Sequence, residues 1–200
     1  MQMADNPVHR FALSAGRFMA LIGGIVLTLL IILVCVSVIG RALNTLLHGP
    51  IDNIFPEFAA SALALGIGPV NGDFELIEAG IAFAIFAFLP LCQVTSGHAT
   101  VDIFTARLPE RLSRILGAVI ECVFAIVLVV IAMQLYEGMA SKRRYGETTF
   151  LLQFPVWWSY AASLFASIVA AAAAVYMAFV RVAEVFVMRD LVHKGLGADS

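Results

Sequence analysis

Few side chains in this chain have the means to do chemistry, and they are widely scattered. Glu75 and Glu78 lie three residues apart at the start of an apolar run, so on a helix they share a face, and Asp73 sits where an N-cap would be. Acids in that place satisfy free amides and the positive end of the helix dipole. Alternatively, they offer a contact to a cationic group on a partner subunit at the outer membrane surface. Glu121 stands alone in a later apolar run, about 9 Å in from Ile115 at about 1.5 Å per residue. An acid at that depth costs free energy unless it is paired or wet. Arg114, two turns earlier on the same face, can snorkel toward it. The sharper role for Glu121, an ion relay, has only this one acid behind it.

Other chemistries lack their parts. His9, His48, His98 and His193 all fall outside the apolar runs, which excludes a histidine pair ligating haem inside a bundle. No cluster has metal-ligand spacing, and no glycine-rich P-loop is present, so neither a metal nor a cofactor is expected. Cys35, Cys92 and Cys122 are isolated in apolar sequence and read as small filler; a thiol oxidoreductase needs a close pair. The run Lys142-Arg143-Arg144 reads as charge at solvent or headgroup level, or as a dock for an acidic soluble partner on the outer face.

The bulk of the chain explains the scarcity. Of 200 residues, 62% are hydrophobic and 13% charged, against about 45–50% and about 25% in soluble domains. Mean hydropathy is +0.96. A water-soluble fold of this size cannot hide so much apolar surface, which excludes a soluble enzyme, a disordered chain and a disulfide-stapled scaffold. Twelve basic and fourteen acidic residues leave a formal charge of −2 with no basic stripe, so nucleic acid is not an expected partner.

Hydrocarbon about 30 Å thick needs about 20 apolar residues of helix to cross it. Four stretches qualify, at about 18–39, 79–95, 115–136 and 156–180, within one membrane domain covering 1–200. The fold class is therefore an all-α integral membrane protein with four transmembrane helices. The first stretch is too long for a cleavable signal and is followed by Gly40-Arg41. Pro90 predicts a kink in the second, and Pro155 makes a good first residue for the fourth, with Trp157, Trp158 and Tyr160 at the interface. With both termini cytoplasmic, the inner segments carry Arg10, Arg17, Arg107, Arg111, Arg114, Arg181, Arg189 and Lys194. The outer ones carry Arg41, Lys142, Arg143 and Arg144. The majority on the inside favours that topology.

Two connections predict short interfacial helices, at about 53–66 and 99–112; the second alternates apolar residues with charges. The fourth stretch carries Ala162, Ala166, Ala170 and Ala174 at strict four-residue spacing. Small residues in that pattern let helix backbones approach closely. The stripe is a packing surface, toward its own bundle or toward another subunit.

The order of features along the chain resembles a known family. Arg41 and Asn44 form an Arg-x-x-Asn just after the first stretch, and Glu75 opens the second. Gly97-His98 followed by Val101-Asp102, then Leu108-Pro109-x-Arg111, and finally Pro155-x-Trp157 complete the series. This resembles the DctQ-like small permease subunit of tripartite ATP-independent periplasmic (TRAP) transporters, from the first span to the fourth. Residues 45–72 form a longer loop than the family leads one to expect, and Phe88 with Pro90 replaces residues that are commonly small.

The resemblance implies a small inner-membrane subunit of a sodium-coupled uptake system. Its partners are a large permease subunit that holds the sodium and substrate sites and a periplasmic substrate-binding protein that delivers, commonly, an organic acid. The small subunit is then a non-catalytic scaffold for the large one, with membrane lipid around it and a share in docking the binding protein. Arg41, Glu75, Glu78, His98, Asp102 and Glu121 would fix local structure or subunit contacts, as would the alanine stripe. The rivals are a self-sufficient four-helix membrane redox protein or enzyme, which needs a converging polar cluster within the spans, and a small homo-oligomeric transporter.

Overall fold

A backbone in hydrocarbon has no water to bond, so an apolar run of span length closes its hydrogen bonds within a helix. The computed structural model, which describes residues 7–51, 54–64, 66–95 and 109–187, shows this outcome for each long run. Helix α1 (Pro7–Leu46) extends over 40 residues, about 60 Å of helix, far past the apolar stretch it contains. It runs into a short π-helical turn, Leu47–Ile51, where Gly49 leaves helical geometry and Pro50 has no amide to donate. A nine-residue helix α2 (Pro56–Ala64) follows, too short to span. It buries Ala59 and Ala62 against Leu47, Ile51, Leu63 and Ile67.

Helices α3 (Asp73–Val94), α4 (Glu110–Tyr145) and α5 (Trp157–Val187) complete the architecture. Among the described residues, four helices are long and apolar enough to cross a membrane, and the only β-type pairing is a bridge from Thr148 to Pro155. Helix α3 continues through Pro90 to Val94 and buries that proline. The backbone of Pro90 and Leu91 lies against Gly16 of α1, so a neighbouring helix covers the turn in which proline removes a hydrogen bond. Helix α5 starts two residues later than Pro155 suggested. Pro155 instead closes the preceding hairpin, and its carbonyl accepts from the Trp158 amide at 3.1 Å. Of the amphipathic segment expected at 99–112, only its end falls within the described residues, where 110–112 are the first residues of α4 and continuous with it.

The long helices do not close into a ring. Helix α3 packs between α1 and α5, and α5 between α3 and α4, while α1 meets α5 only marginally. The order across the molecule is therefore α1, α3, α5, α4, and the core is thin and made of small residues. Met19, Ala87 and Ala166 form one cluster, with Phe83, Phe86 and Val169 around it. Ala125, Leu128, Ala170, Ala174 and Ala178 belong to another, capped by Leu89 of α3. The most apolar stretch of α1 is only 11% buried, against 56% for α5. The central helix supplies the packing, and the edge helix presents nearly all its side chains outward.

One close approach sets the position of the loop between α1 and α3. A Cβ on Gly40 would overlap the Gly68 carbonyl. Gly40→Val should push residues 66–72 away from α1, at a cost of about 1–3 kcal/mol for forced overpacking. The thermal midpoint in detergent, followed by circular dichroism, should fall accordingly; an unchanged midpoint would show that the loop yields freely.

Candidate functional site

Two ends of the row carry the polar groups. The hairpin end gathers the C-terminus of α1, the N-termini of α3 and α5, the C-terminus of α4 and the hairpin at 146–156. The terminal end gathers the start of α1, the end of α3, the start of α4 and the end of α5.

At the hairpin end, Ser37, Arg41 and Asn44 occupy positions i, i+4 and i+7 and so share one face of α1. All three reach across to the next element. Ser37, fully buried, donates to Asp73 Oδ2 at 2.5 Å. Arg41 Nη2 lies 3.5 Å from the same oxygen, with its guanidinium 5.8 Å over the Phe74 ring. Asn44 Nδ2 donates to the Ile67 carbonyl at 3.1 Å. Asp73 was expected at the N-cap, and there the structure differs. Gly72 takes the cap position at φ 78°, leaving Asp73 as the first helical residue. The Asp73 carboxylate accepts from the Phe74 amide at 2.8 Å while binding α1. The left-handed turn is open to Gly72 without steric cost, and the space where its Cβ would stand is filled by Leu152.

Glu75 does not cap its own helix. Its carboxylate accepts from the Leu151 amide at 2.7 Å and the Leu152 amide at 2.9 Å, both in the hairpin. The hairpin is further closed by Thr149 N to Phe154 O at 2.9 Å and Val156 N to Glu147 O at 3.0 Å. Of the basic run, Lys142 reaches Glu147 at 2.6 Å, and Arg143 lies 5.4 Å over the Trp157 ring. Both therefore tie the end of α4 to the segment that leads into α5. Glu75→Ala should free two amides and speed hydrogen exchange at Leu151 and Leu152 by about tenfold or more, as local opening becomes easier. Exchange unchanged at those two positions would remove Glu75 from this role.

Glu78, one turn further along α3, is exposed and faces a cleft of about 470 Å³. Ser163 and Tyr160 of α5, Leu135 of α4, and Phe150 and Phe154 of the hairpin are among the residues that line its wall.

At the terminal end, Glu121 is 9% exposed and accepts from Gln93 Nε2 of α3 at 2.9 Å. Sequence reasoning passed over Gln93, although it is an amide in the last turn of an apolar run. Arg181 pairs with the buried Glu184 at 2.9 Å, and Tyr176 lies 3.4 Å from His9 Nδ1 of α1. In the sequence Arg181 counts only as an inner basic residue and His9 only as a histidine outside the apolar runs, and nothing there singles out Glu184 or Tyr176. Of the alanine stripe, Ala166, Ala170 and Ala174 are fully buried within this chain, whereas Ala162 is exposed. His98 and Asp102 lie outside the described residues. Cys35 is exposed, Cys92 and Cys122 are half-buried, and none of the three is in a disulfide. Among the described residues no group of three or more histidine, cysteine or acidic side chains is set to hold a metal ion.

Long apolar helices joined by polar pairs at their ends define an all-α, multi-pass membrane protein. Residues 30–184, well over half of the chain, match the family model described as tripartite ATP-independent periplasmic transporters, DctQ component. The chain belongs to that family and is the small membrane component of such a transporter. No curated protein and no solved structure matches it.

Proposed function

We propose that this chain is the non-catalytic small subunit of a sodium-coupled TRAP uptake system in a bacterial inner membrane. It braces the large permease subunit, which holds the sodium and substrate sites, and shares in docking the periplasmic substrate-binding protein. Both termini face the cytoplasm, so that the hairpin end lies on the periplasmic side, where such a protein arrives.

The observation that carries this reading is the use made of polar side chains in the long helices. Ser37 and Arg41 of α1 meet Asp73 of α3, and Gln93 of α3 meets Glu121 of α4. In a low-dielectric setting such pairs join helices to one another. They are organised to fix a shape, and the open row gives that shape broad apolar faces for a neighbour in the bilayer. Co-expression with the large component, followed by purification through a tag on that component, tests the proposal. A stable one-to-one complex is expected. Recovery of the large component alone, fully active in uptake, would overturn it.

A further inference from the structure

We propose that the cleft bounded by α3, α4, α5 and the hairpin is a socket for a lysine or arginine side chain of the large permease subunit. This rests on the reading above and names a point of contact between the two membrane subunits.

The cleft has a floor, a roof and a charge, and each is accounted for differently. Its floor is α5, where Ser163 is only 3% exposed. Ser167, one turn on, donates to the Leu164 carbonyl of its own helix at 2.9 Å. Ser163 makes no hydrogen bond to a described residue. Its oxygen is nevertheless not sealed in, since no fully enclosed side-chain nitrogen or oxygen among the described residues lacks a partner. The hydroxyl therefore opens into the cleft that Ser163 lines. Buried hydroxyls are nearly always bonded, so one aimed into a cavity points to something that fills it.

The roof is the hairpin, held down by Glu75 through the Leu151 and Leu152 amides. The two glutamates of one helix face are thereby divided. Glu75 is engaged by the hairpin amides, while Glu78 faces the cleft with no cation or donor among the described residues at hydrogen-bond distance. Arg41 is engaged with Asp73 and Phe74, Lys142 with Glu147 and Arg143 on Trp157, while Arg144, exposed at the end of α4, makes no ion pair with Glu78 among the described residues. The complement to Glu78 comes from outside the chain. Leu135, Phe150 and Phe154 supply apolar wall beside the hydroxyl-bearing Thr149, Ser159 and Tyr160, which suits the methylene stem of a long basic side chain whose head reaches the carboxylate. A phospholipid headgroup suits the cleft less well, because its phosphate would sit beside an unneutralised carboxylate.

The test uses the two membrane subunits expressed together, with the tag on the large one. Glu78→Lys should lower recovery of this chain by about tenfold or more, because like charges then meet in the socket. Glu57→Lys, at an exposed acid on α2, should leave recovery unchanged. The thermal midpoint of the chain purified alone should be the same for Glu78→Lys and the natural sequence. In a second arm, Ser159→Cys, at another residue of the cleft wall, is introduced into a chain carrying C35S, C92S and C122S. It should react with a maleimide in the isolated subunit and be protected in the complex. Natural recovery of Glu78→Lys, or equal labelling in both states, would overturn the proposal. So would native mass spectrometry showing a phosphatidylethanolamine that Glu78→Lys loses while still binding the large subunit. If the natural chain itself fails to bind the large subunit, the functional reading falls first and the socket with it.

Discussion

Ala170→Leu and Ala174→Leu should each lower the thermal midpoint of the detergent-solubilised protein sharply, and Ala162→Leu on the same helix should not. Ala170 and Ala174 have no exposed surface and sit where α5 meets α4, against Ala125 and Leu128. Leucine adds three carbons to a contact that two alanine-lined helices have closed, and such overpacking costs about 1–3 kcal/mol, or more where backbones cannot part. Ala166→Leu belongs to the same group, since Ala166 meets Met19 and Ala87. Ala162 continues the four-residue spacing but is exposed. The comparison within one stripe separates packing from mere change of side-chain size. A loss confined to Ala162→Leu would place the helix the other way round.

Gln93→Leu should be the next most damaging change, and its effect should be partly reversed by adding Glu121→Leu. Gln93 is fully buried and donates to a carboxylate that is itself 9% exposed. Removing a donor from a buried charged acceptor costs about 1–3 kcal/mol, and more than replacing both partners by apolar groups of similar shape. The pattern to look for is therefore non-additive: the double variant should be more stable than Gln93→Leu alone. Thermal unfolding of all four proteins in the same detergent measures it. Additive losses would mean that the amide and the carboxylate act independently, and that α3 and α4 are held together there by something else.

The four long helices were legible in the sequence because hydrocarbon imposes both length and apolarity on anything that crosses it. The polar face of α1 was legible too, for Ser37, Arg41 and Asn44 fall at helical spacing, although only Arg41 and Asn44 attracted notice. What each one touches was not. Asp73 read as a helix cap because nothing in the residue types announces the left-handed turn at Gly72 that takes the cap position. Glu75 read as serving its own helix or a foreign cation, whereas it binds amides more than seventy residues away. Contacts at that separation depend on how the row is ordered, and apolar runs carry no record of their neighbours. The alanine spacing declared a packing surface without saying against what. Packing inside the chain accounts for Ala166, Ala170 and Ala174 and leaves Ala162 outside it.

Transport by each subunit on its own is the most direct test of the central claim, that these helices hold a partner in shape and carry no solute themselves. Proteoliposomes containing only this chain, given an inward sodium gradient, the loaded binding protein and its substrate, should show no uptake above empty vesicles. Adding the large subunit should restore it. Substrate-dependent uptake by vesicles holding this chain alone would contradict the account.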